Sequence, residues 1–147
     1  MKITQIGRRL ISVFLVLVVG LIFLTSPASA ATDTEAYFAF QTSPNDSFTI
    51  KLTDPNKIQK ARDILSGKET NETHILGKIK KSKAPYNQNW DYQLDPSTIG
   101  FFSYAIEVCD ASTPYLQDHL DEAGGAFLPG AIWCPWSSQL VKEISIN

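Results

Sequence analysis

Apolar and polar residues alternate in the stretch "FTIKLT", residues 48–53. A period of two is typical of a strand with one buried face. The stretch follows the aromatic segment 37–40 and the loop-forming residues "SPNDS". Two strand-like segments joined by such a loop predict a β-hairpin over residues 37–53.

The next segment, "DPNKIQKARDILSG", changes to the period of a helix. Its apolar residues recur at intervals of three or four and share one helix face: Ile58, Ala61 and Leu65. Asp54 can cap the first turn, Pro55 suits the first helical position, and Gly67 follows the last apolar residue. Residues 54–67 are therefore predicted to contain a helix.

Four later segments carry strand patterns. The first is centred on residues 75–80, and the second alternates over residues 90–94. In the third, residues 102–108, apolar side chains occupy every second position, and β-branched and aromatic residues favour a strand over a helix. The fourth follows Pro135 and includes "SSQLVKEISI".

A second helix is predicted in "TPYLQDHLDEAGG". Thr113 serves as its cap, Pro114 begins it, Leu116 and Leu120 lie inside, and Gly124 ends it. Strands with two interspersed helices predict a single small α+β domain with a mostly antiparallel sheet.

Residues 1–30 have a different character from the rest of the chain. Basic residues precede the uncharged apolar segment 10–24, which is followed by the small-residue pattern "ASA". These features predict a secretory signal peptide that is cleaved between Ala30 and Ala31. An uncleaved anchor is the alternative and would be the only membrane attachment, but a bilayer span needs about 20 apolar residues. The expected location is secreted or periplasmic.

The charge of the remaining chain narrows the possible partners. Of 13 basic and 15 acidic residues, three basic and no acidic ones lie in residues 1–30, so residues 31–147 carry a formal charge of −5. Nucleic-acid binding depends on the neutralisation of phosphates by basic side chains. A nucleic-acid partner is therefore not expected for the single domain that residues 31–147 form.

The chain contains two cysteines, Cys109 and Cys134. Two cysteines in an exported protein usually pair, so a disulfide is predicted. The alternatives are a reactive thiol, which requires a nearby base and an accessible thiolate, and two unpaired buried thiols. Trp133 and Trp136 flank the second cysteine and are predicted to pack in the core over the sulfurs, with a ligand platform as the alternative.

The same segments carry a resemblance to a known family. "YNQNWDYQLDPSTIGFF", "AIEVCDAS" and "WCPWSSQLVKEI" resemble the N-terminal domain family of a cAMP-inducible prespore protein known for binding calmodulin, over about residues 36–144. The resemblance implies a compact secreted domain without established catalysis. The family-motif residues are Trp90, Asp95, Pro96, Glu107, Asp110, Trp133, Pro135, Trp136, Ser137 and Ser138.

The resemblance also implies calmodulin as a partner. Calmodulin normally binds a basic amphipathic helix with spaced bulky anchors. The first predicted helix comes nearest, with Lys57, Lys60 and Arg62, but Asp63 follows and the apolar face is small. The sequence therefore does not support tight calmodulin binding.

Metal and catalytic sites receive little support from the sequence. Asp118, His119, Asp121 and Glu122 lie close together in the second predicted helix, but spaced helical carboxylates usually form a solvated face. The alternating oxygen ligands of an EF-hand are absent. Serines, histidines and aspartates coexist in the chain without a G-x-S-x-G elbow. We therefore expect no metal, no cofactor and no catalytic residue.

The segment "KIKKSK" concentrates four lysines, at positions 78, 80, 81 and 83. Lysines on an edge strand commonly prevent sheets from aggregating edge to edge. The alternative is an anionic glycan or membrane surface as a ligand. The edge-strand interpretation is preferred.

These patterns predict an exported, disulfide-closed module that binds an unidentified protein or glycan and is not an enzyme. A secreted protease inhibitor is the first alternative, with "EAGGAFLPGAI" as its exposed loop. A small hydrolase is the second, and it would need a pocket that unites a histidine, a carboxylate and a serine.

Overall fold

The computed structural model describes residues 33–104 and 108–146. These residues form helices α1 (Pro55–Leu65) and α2 (Thr113–Asp118). The strands in chain order are β1 (Ala36–Gln41), β2 (Phe48–Leu52), β3 (His74–Lys80), β4 (Gln93–Leu94), β5 (Gly100–Phe102), β6 (Ala123–Gly124), β7 (Phe127–Pro129), β8 (Ile132–Trp133) and β9 (Gln139–Ile144). The predicted signal peptide and its cleavage site lie outside the described residues.

The first sheet has the order β2-β1-β9, and both pairings are antiparallel. Phe38 pairs with Ile50 and Phe40 with Phe48. Directly opposite residues share one face of a sheet, so this register gathers large apolar side chains on a single face, where all four are buried. The predicted hairpin is confirmed.

The second set of strands surrounds β3, which pairs antiparallel with β4, β5 and β8. Gly77 lies in the middle of β3, where a Cβ atom would approach Leu94 Cδ1 to 3.2 Å and Ile99 Cγ1 to 3.4 Å. Only glycine allows that close approach without displacing its neighbours. The short pair β6–β7 is parallel. The fold is therefore α+β with mostly antiparallel pairing, as predicted.

Helix α1 forms where the sequence predicts it. Asp54 is its N-cap and accepts a hydrogen bond from the Asn56 amide at 2.8 Å. Ile58 and Ala61 are buried. Gly67 follows the helix with a φ of +76°, a left-handed conformation that favours glycine. Local capping and one apolar face are enough to define this helix.

The strand predicted over residues 102–108 is wrong in its extent. Strand β5 ends at Phe102, Tyr104 and Val108 lie outside any strand, and their side chains are 73% and 78% exposed. Residues 105–107 are outside the described part of the chain. An alternating pattern becomes a strand only where a partner strand and a buried face are available, and the register with β3 ends at Phe102.

The second helix begins close to its predicted start but ends early. Ser112, and not Thr113, is its N-cap, and the last helical residue is Asp118. The Thr113 amide instead lies within the helix start and donates to Thr42 Oγ1 at 2.9 Å. The residues before Gly124 leave the helix because they form the short β6–β7 pair.

The lysine-rich segment does not lie on an edge strand. Lys78 and Lys80 belong to β3, which pairs with three strands. Lys80 pairs with Asp95 at 3.2 Å and Lys83 with Asp91 at 3.0 Å. The edge-strand interpretation is wrong, because sequence spacing does not reveal which strands lie at a sheet edge. The lysine charges are instead partly neutralised by carboxylates from the following loop.

A buried polar network joins the β1–β2 loop to α2. Asp46 accepts hydrogen bonds from the Thr42 amide at 2.8 Å, the Thr42 hydroxyl at 2.6 Å and the Ser43 amide at 3.1 Å. Thr42 Oγ1 also lies 3.0 Å from Thr113 Oγ1. Burial raises the pKa of Asp46, but these hydrogen bonds outweigh it, so its pKa lies below the ordinary value of 3.8. The charged carboxylate therefore stabilises the folded state.

We expect Asp46→Asn to lower the free energy of unfolding at pH 7 by about 1–3 kcal/mol, because an amide NH₂ replaces one acceptor oxygen. A depressed folded-state pKa contributes stability that is complete above the unfolded value and is lost as the pH falls through the folded one. The difference between wild type and variant should therefore shrink below about pH 4. Urea denaturation at pH 7 and pH 3 measures both effects. The exposed Asp118→Asn is the control, and an Asp46→Asn deficit that stays constant with pH would contradict this assignment.

Candidate functional site

The predicted disulfide is confirmed and lies at the centre of the candidate site. Cys109 and Cys134 are bonded, with their Cα atoms 5.1 Å apart, and both are buried. The Cys134 amide donates to the Cys109 carbonyl at 2.8 Å. The Trp136 amide donates to Asp110 Oδ1 at 2.9 Å. Two chain segments are thus joined by a covalent bond and by flanking hydrogen bonds.

Trp133 is part of the central core. Its side chain is 0% exposed, and its ring centroid lies 5.6 Å from that of Phe40, 5.4 Å from that of Phe48 and 5.7 Å from that of Tyr92. Its Nε1 donates to the Ala111 carbonyl at 2.9 Å. Burial also raises the pKa of Tyr92. The prediction of a core tryptophan is confirmed for this residue.

Trp136 is on the surface, so the prediction that both tryptophans lie in the core is wrong for this one. Its side chain is 41% exposed, and its ring centroid lies 5.6 Å from that of Tyr104, which is 73% exposed. The chain turns between the two tryptophans, because Cys134 is held by the disulfide and the Ser138 amide donates to the Pro135 carbonyl at 3.0 Å. The two rings therefore face opposite environments.

Exposed apolar side chains gather around the disulfide. Seven large apolar residues of the described chain are exposed, and four of them form what we call the disulfide-flanking surface: Tyr104, Val108, Ile132 and Trp136. A shallow pocket of about 210 Å³ opens in it, lined by Val108, Cys109, Pro129 and Ile132. Large exposed apolar patches commonly mark interaction sites.

Trp90 and Asp95 hold loops in place. Trp90 Nε1 donates to the Ser47 carbonyl at 2.8 Å. Asp95 Oδ1 accepts from the Ser97 hydroxyl at 2.8 Å and from the Ser97 amide at 3.0 Å, which lowers the pKa of Asp95. Pro96 occupies the second position of the turn that closes with the Thr98 amide on the Asp95 carbonyl.

The "PWSS" segment is fastened in the same way. Pro135 is buried. Ser137 Oγ donates to the Thr42 carbonyl at 3.0 Å, and Ser138 Oγ accepts from the Ile75 amide at 2.9 Å. Glu107 lies outside the described residues. The described motif residues therefore build the scaffold, and Trp136 is the one whose large side chain reaches solvent.

The carboxylate and histidine cluster after α2 forms an aromatic stack. The His119 ring lies on that of Tyr115 with centroids 4.1 Å apart, and its Nδ1 donates to the Tyr115 carbonyl at 2.9 Å. The Phe127 ring meets the Tyr115 ring edge-on. Within residues 33–104 and 108–146, no group of three or more His, Cys, Asp or Glu side chains is placed to hold a metal ion.

His74 and Ser138 are neighbours at a second shallow pocket, of about 290 Å³, between the starts of β3 and β9. His74 Nδ1 donates to the backbone carbonyl of Ser138 at 3.0 Å. The Ser138 hydroxyl accepts from the Ile75 amide. The contact between this histidine and this serine thus uses the serine backbone, whereas a nucleophilic serine requires its hydroxyl on the imidazole.

The segment "EAGGAFLPGAI" is a compact turn. Leu128 is buried, with a φ of +48°, and Ala131 has a φ of +59°. The Ala131 amide donates to the Leu128 carbonyl at 2.9 Å. An inhibitory loop would be extended and exposed, and this segment is folded back on itself.

Val108, Ile132 and Tyr104 were not identified as surface residues by the sequence. Their only sequence signal is their closeness to the two cysteines and to Trp136. Val108 and Tyr104 fitted a strand pattern that the fold does not use. An apolar residue in such a pattern is normally expected to be buried, so this surface depends on the tertiary structure for its recognition.

The fold and the disulfide define a small, single-core α+β domain stapled between the ends of two loops. The family model of the N-terminal domain of the calmodulin-binding prespore protein, BP-74, matches residues 34–147, which is most of the chain. The chain belongs to this N-terminal domain family, and the resemblance seen in its motifs is confirmed. No curated protein and no solved structure matches the chain at a significant level.

Proposed function

We propose that the chain is an exported binding module without catalytic activity and that it contacts its partner through the disulfide-flanking surface. The observation that carries the proposal is the concentration of exposed Tyr104, Val108, Ile132 and Trp136 around a buried disulfide. A disulfide fits an oxidising, extracytoplasmic compartment. No helix among the described residues is long and apolar enough to cross a membrane.

We predict that the exported protein begins at or near Ala31. The basic start, the apolar segment and the small residues before this position form a cleavable signal. N-terminal sequencing of protein recovered outside the cytoplasm measures this directly. A retained Met1 would show an uncleaved anchor instead.

We predict that calmodulin binds this domain no more tightly than micromolar, about −8 kcal/mol. Calmodulin would need the basic and apolar side chains of α1, but Lys60 pairs with Glu72, Arg62 pairs with Glu143, and the buried residues of α1 face the core. Calorimetry with and without calcium measures the affinity. Nanomolar, calcium-dependent binding would overturn the prediction.

Affinity capture with oxidised residues 31–147 as bait, with and without calcium, tests the proposed function. The wild type should retain a partner that the double variant Tyr104→Ala and Trp136→Ala loses. Val141→Ala is the matched control, because Val141 is 50% exposed on β9 and is not part of the disulfide-flanking surface. Equal capture by the double variant would remove this surface from the function. Titration with secreted proteases tests the inhibitor alternative, for which the buried Leu128 gives little support.

A further inference from the structure

We propose that the disulfide-flanking surface binds a protein segment that inserts one bulky apolar side chain into the pocket between Val108 and Ile132 and carries basic residues beside that anchor. The inference rests on the proposed function, because it specifies the partner chemistry of the same surface. It follows from the size of the pocket, the rigidity of its wall and the charge of the domain.

The pocket has the size and chemistry for one side chain. Its volume is about 210 Å³, below the roughly 300 Å³ at which pockets for small-molecule ligands begin. The side chains of Val108, Pro129 and Ile132 that line it carry no hydrogen-bonding group. A sugar would require convergent polar groups, whereas a buried apolar anchor requires only an apolar wall.

The wall of the pocket is held in an unusual backbone conformation. Leu128 and Ala131, on either side of Pro129 and Gly130, both have positive φ values. Such conformations cost on the order of 1 kcal/mol or more for residues with a side chain and persist where surrounding contacts impose them. Here the Leu128 side chain is buried, and the Ala131 carbonyl accepts from the Ile79 amide at 2.8 Å. The turn therefore presents Pro129 and Ile132 in a fixed position before any partner arrives.

The rings of Tyr104 and Trp136 extend the pocket into a contact surface. Their centroids lie 5.6 Å apart with the planes tilted by 50°. Exposed tyrosine and tryptophan next to a dry pocket are the residue types that dominate protein interfaces. An anchor in the pocket would place its neighbouring residues against these rings.

Charge selects the flanks of the partner segment. None of the four residues of the surface is basic, Asp110 is exposed beside Cys109, and residues 31–147 carry a formal charge of −5. Complementary charge favours encounter with a basic segment and disfavours an acidic one. A second copy of the chain would bring the same negative charge to the contact, so self-association is disfavoured.

A random peptide library displayed on phage and selected on oxidised residues 31–147 tests the proposal. Enriched peptides should share one bulky apolar residue with Lys or Arg close to it, and added salt should weaken their binding. Ile132→Lys should raise the Kd of a synthetic consensus peptide at least tenfold, because it fills the pocket with a charge. Val141→Lys, at a similarly exposed apolar site on β9, should leave the Kd within about twofold. Val108→Lys, at a position that is 78% exposed, is the second pocket variant should Ile132→Lys lower the melting temperature.

Several results would overturn the proposal. They are an absence of enriched peptides, an acidic consensus, or peptides that bind both pocket variants as tightly as the wild type. A dimer in gel filtration that Ile132→Lys dissociates would assign the surface to a second copy. Binding of neutral oligosaccharides or of phosphatidylcholine vesicles that Trp136→Ala abolishes, without peptide binding, would assign it to a glycan or a membrane. If partner capture still depends on Tyr104 and Trp136 while these peptides fail, the proposed function stands and this inference does not.

Discussion

Replacing Cys134 with serine should lower the free energy of unfolding by roughly 2–5 kcal/mol, the usual effect of removing the disulfide from a small secreted domain. The bond to Cys109 closes a loop with a sequence separation of 25 residues. In the chain-entropy model, closing such a loop contributes about 3–4 kcal/mol by restricting the unfolded chain. Because the loop contains α2, β6, β7 and β8, its opening would also loosen the wall of the pocket.

Urea denaturation of the oxidised wild type and of Cys134→Ser measures this loss. Mass spectrometry of the wild type should find no free thiol, and the double variant Cys109→Ser and Cys134→Ser separates loss of the bond from the effect of one unpaired thiol. Reduced wild type should behave like the double variant. If reduction leaves the melting temperature unchanged, the disulfide does not stabilise the fold.

Trp133→Ala should destabilise the domain by roughly 3–5 kcal/mol, the range for a large aromatic residue removed from a core. The ring is fully buried against Phe40, Phe48 and Tyr92, and the variant also leaves the Ala111 carbonyl without its indole donor. The cavity cannot collapse easily, because three rigid rings form its walls.

Trp136→Ala is the matched control for this change, since it removes the same side chain three residues away. We expect a loss of about 1 kcal/mol or less, because Trp136 is 41% exposed and its hydrogen bond to Asp110 uses the backbone amide. Thermal and urea denaturation of both variants measure the difference. Equal destabilisation by the two changes would place Trp136 in the core and would remove it from the proposed contact surface.

The elements that the sequence predicts well are those with local causes. The hairpin, α1 and β3 are confirmed because their patterns, caps and turns act within a few residues of one another. Asp54 caps the helix two residues before Asn56, and Phe38 and Phe40 need only the adjacent strand to share a face with Ile50 and Phe48.

The predictions that are wrong involve distant partners. Residues 102–108 alternate like a strand, but the register with β3 ends at Phe102. The lysines of β3 lie on a strand with three partners, which no local pattern reveals. The second helix ends at Asp118 because later residues pair with β7.

The sequence by itself determined the α+β class, the family and the pairing of Cys109 with Cys134, because composition, periodicity and motif spacing belong to the chain before it folds. The tertiary structure alone decided which tryptophan is core and which is surface. Trp133 and Trp136 occupy the same four-residue motif and have the same hydrophobicity. The disulfide and the turn at Pro135 direct one ring towards Phe48 and the other towards Tyr104 and solvent. Burial depends on the packing of segments that are distant in sequence, and this packing also creates the pocket between Val108 and Ile132.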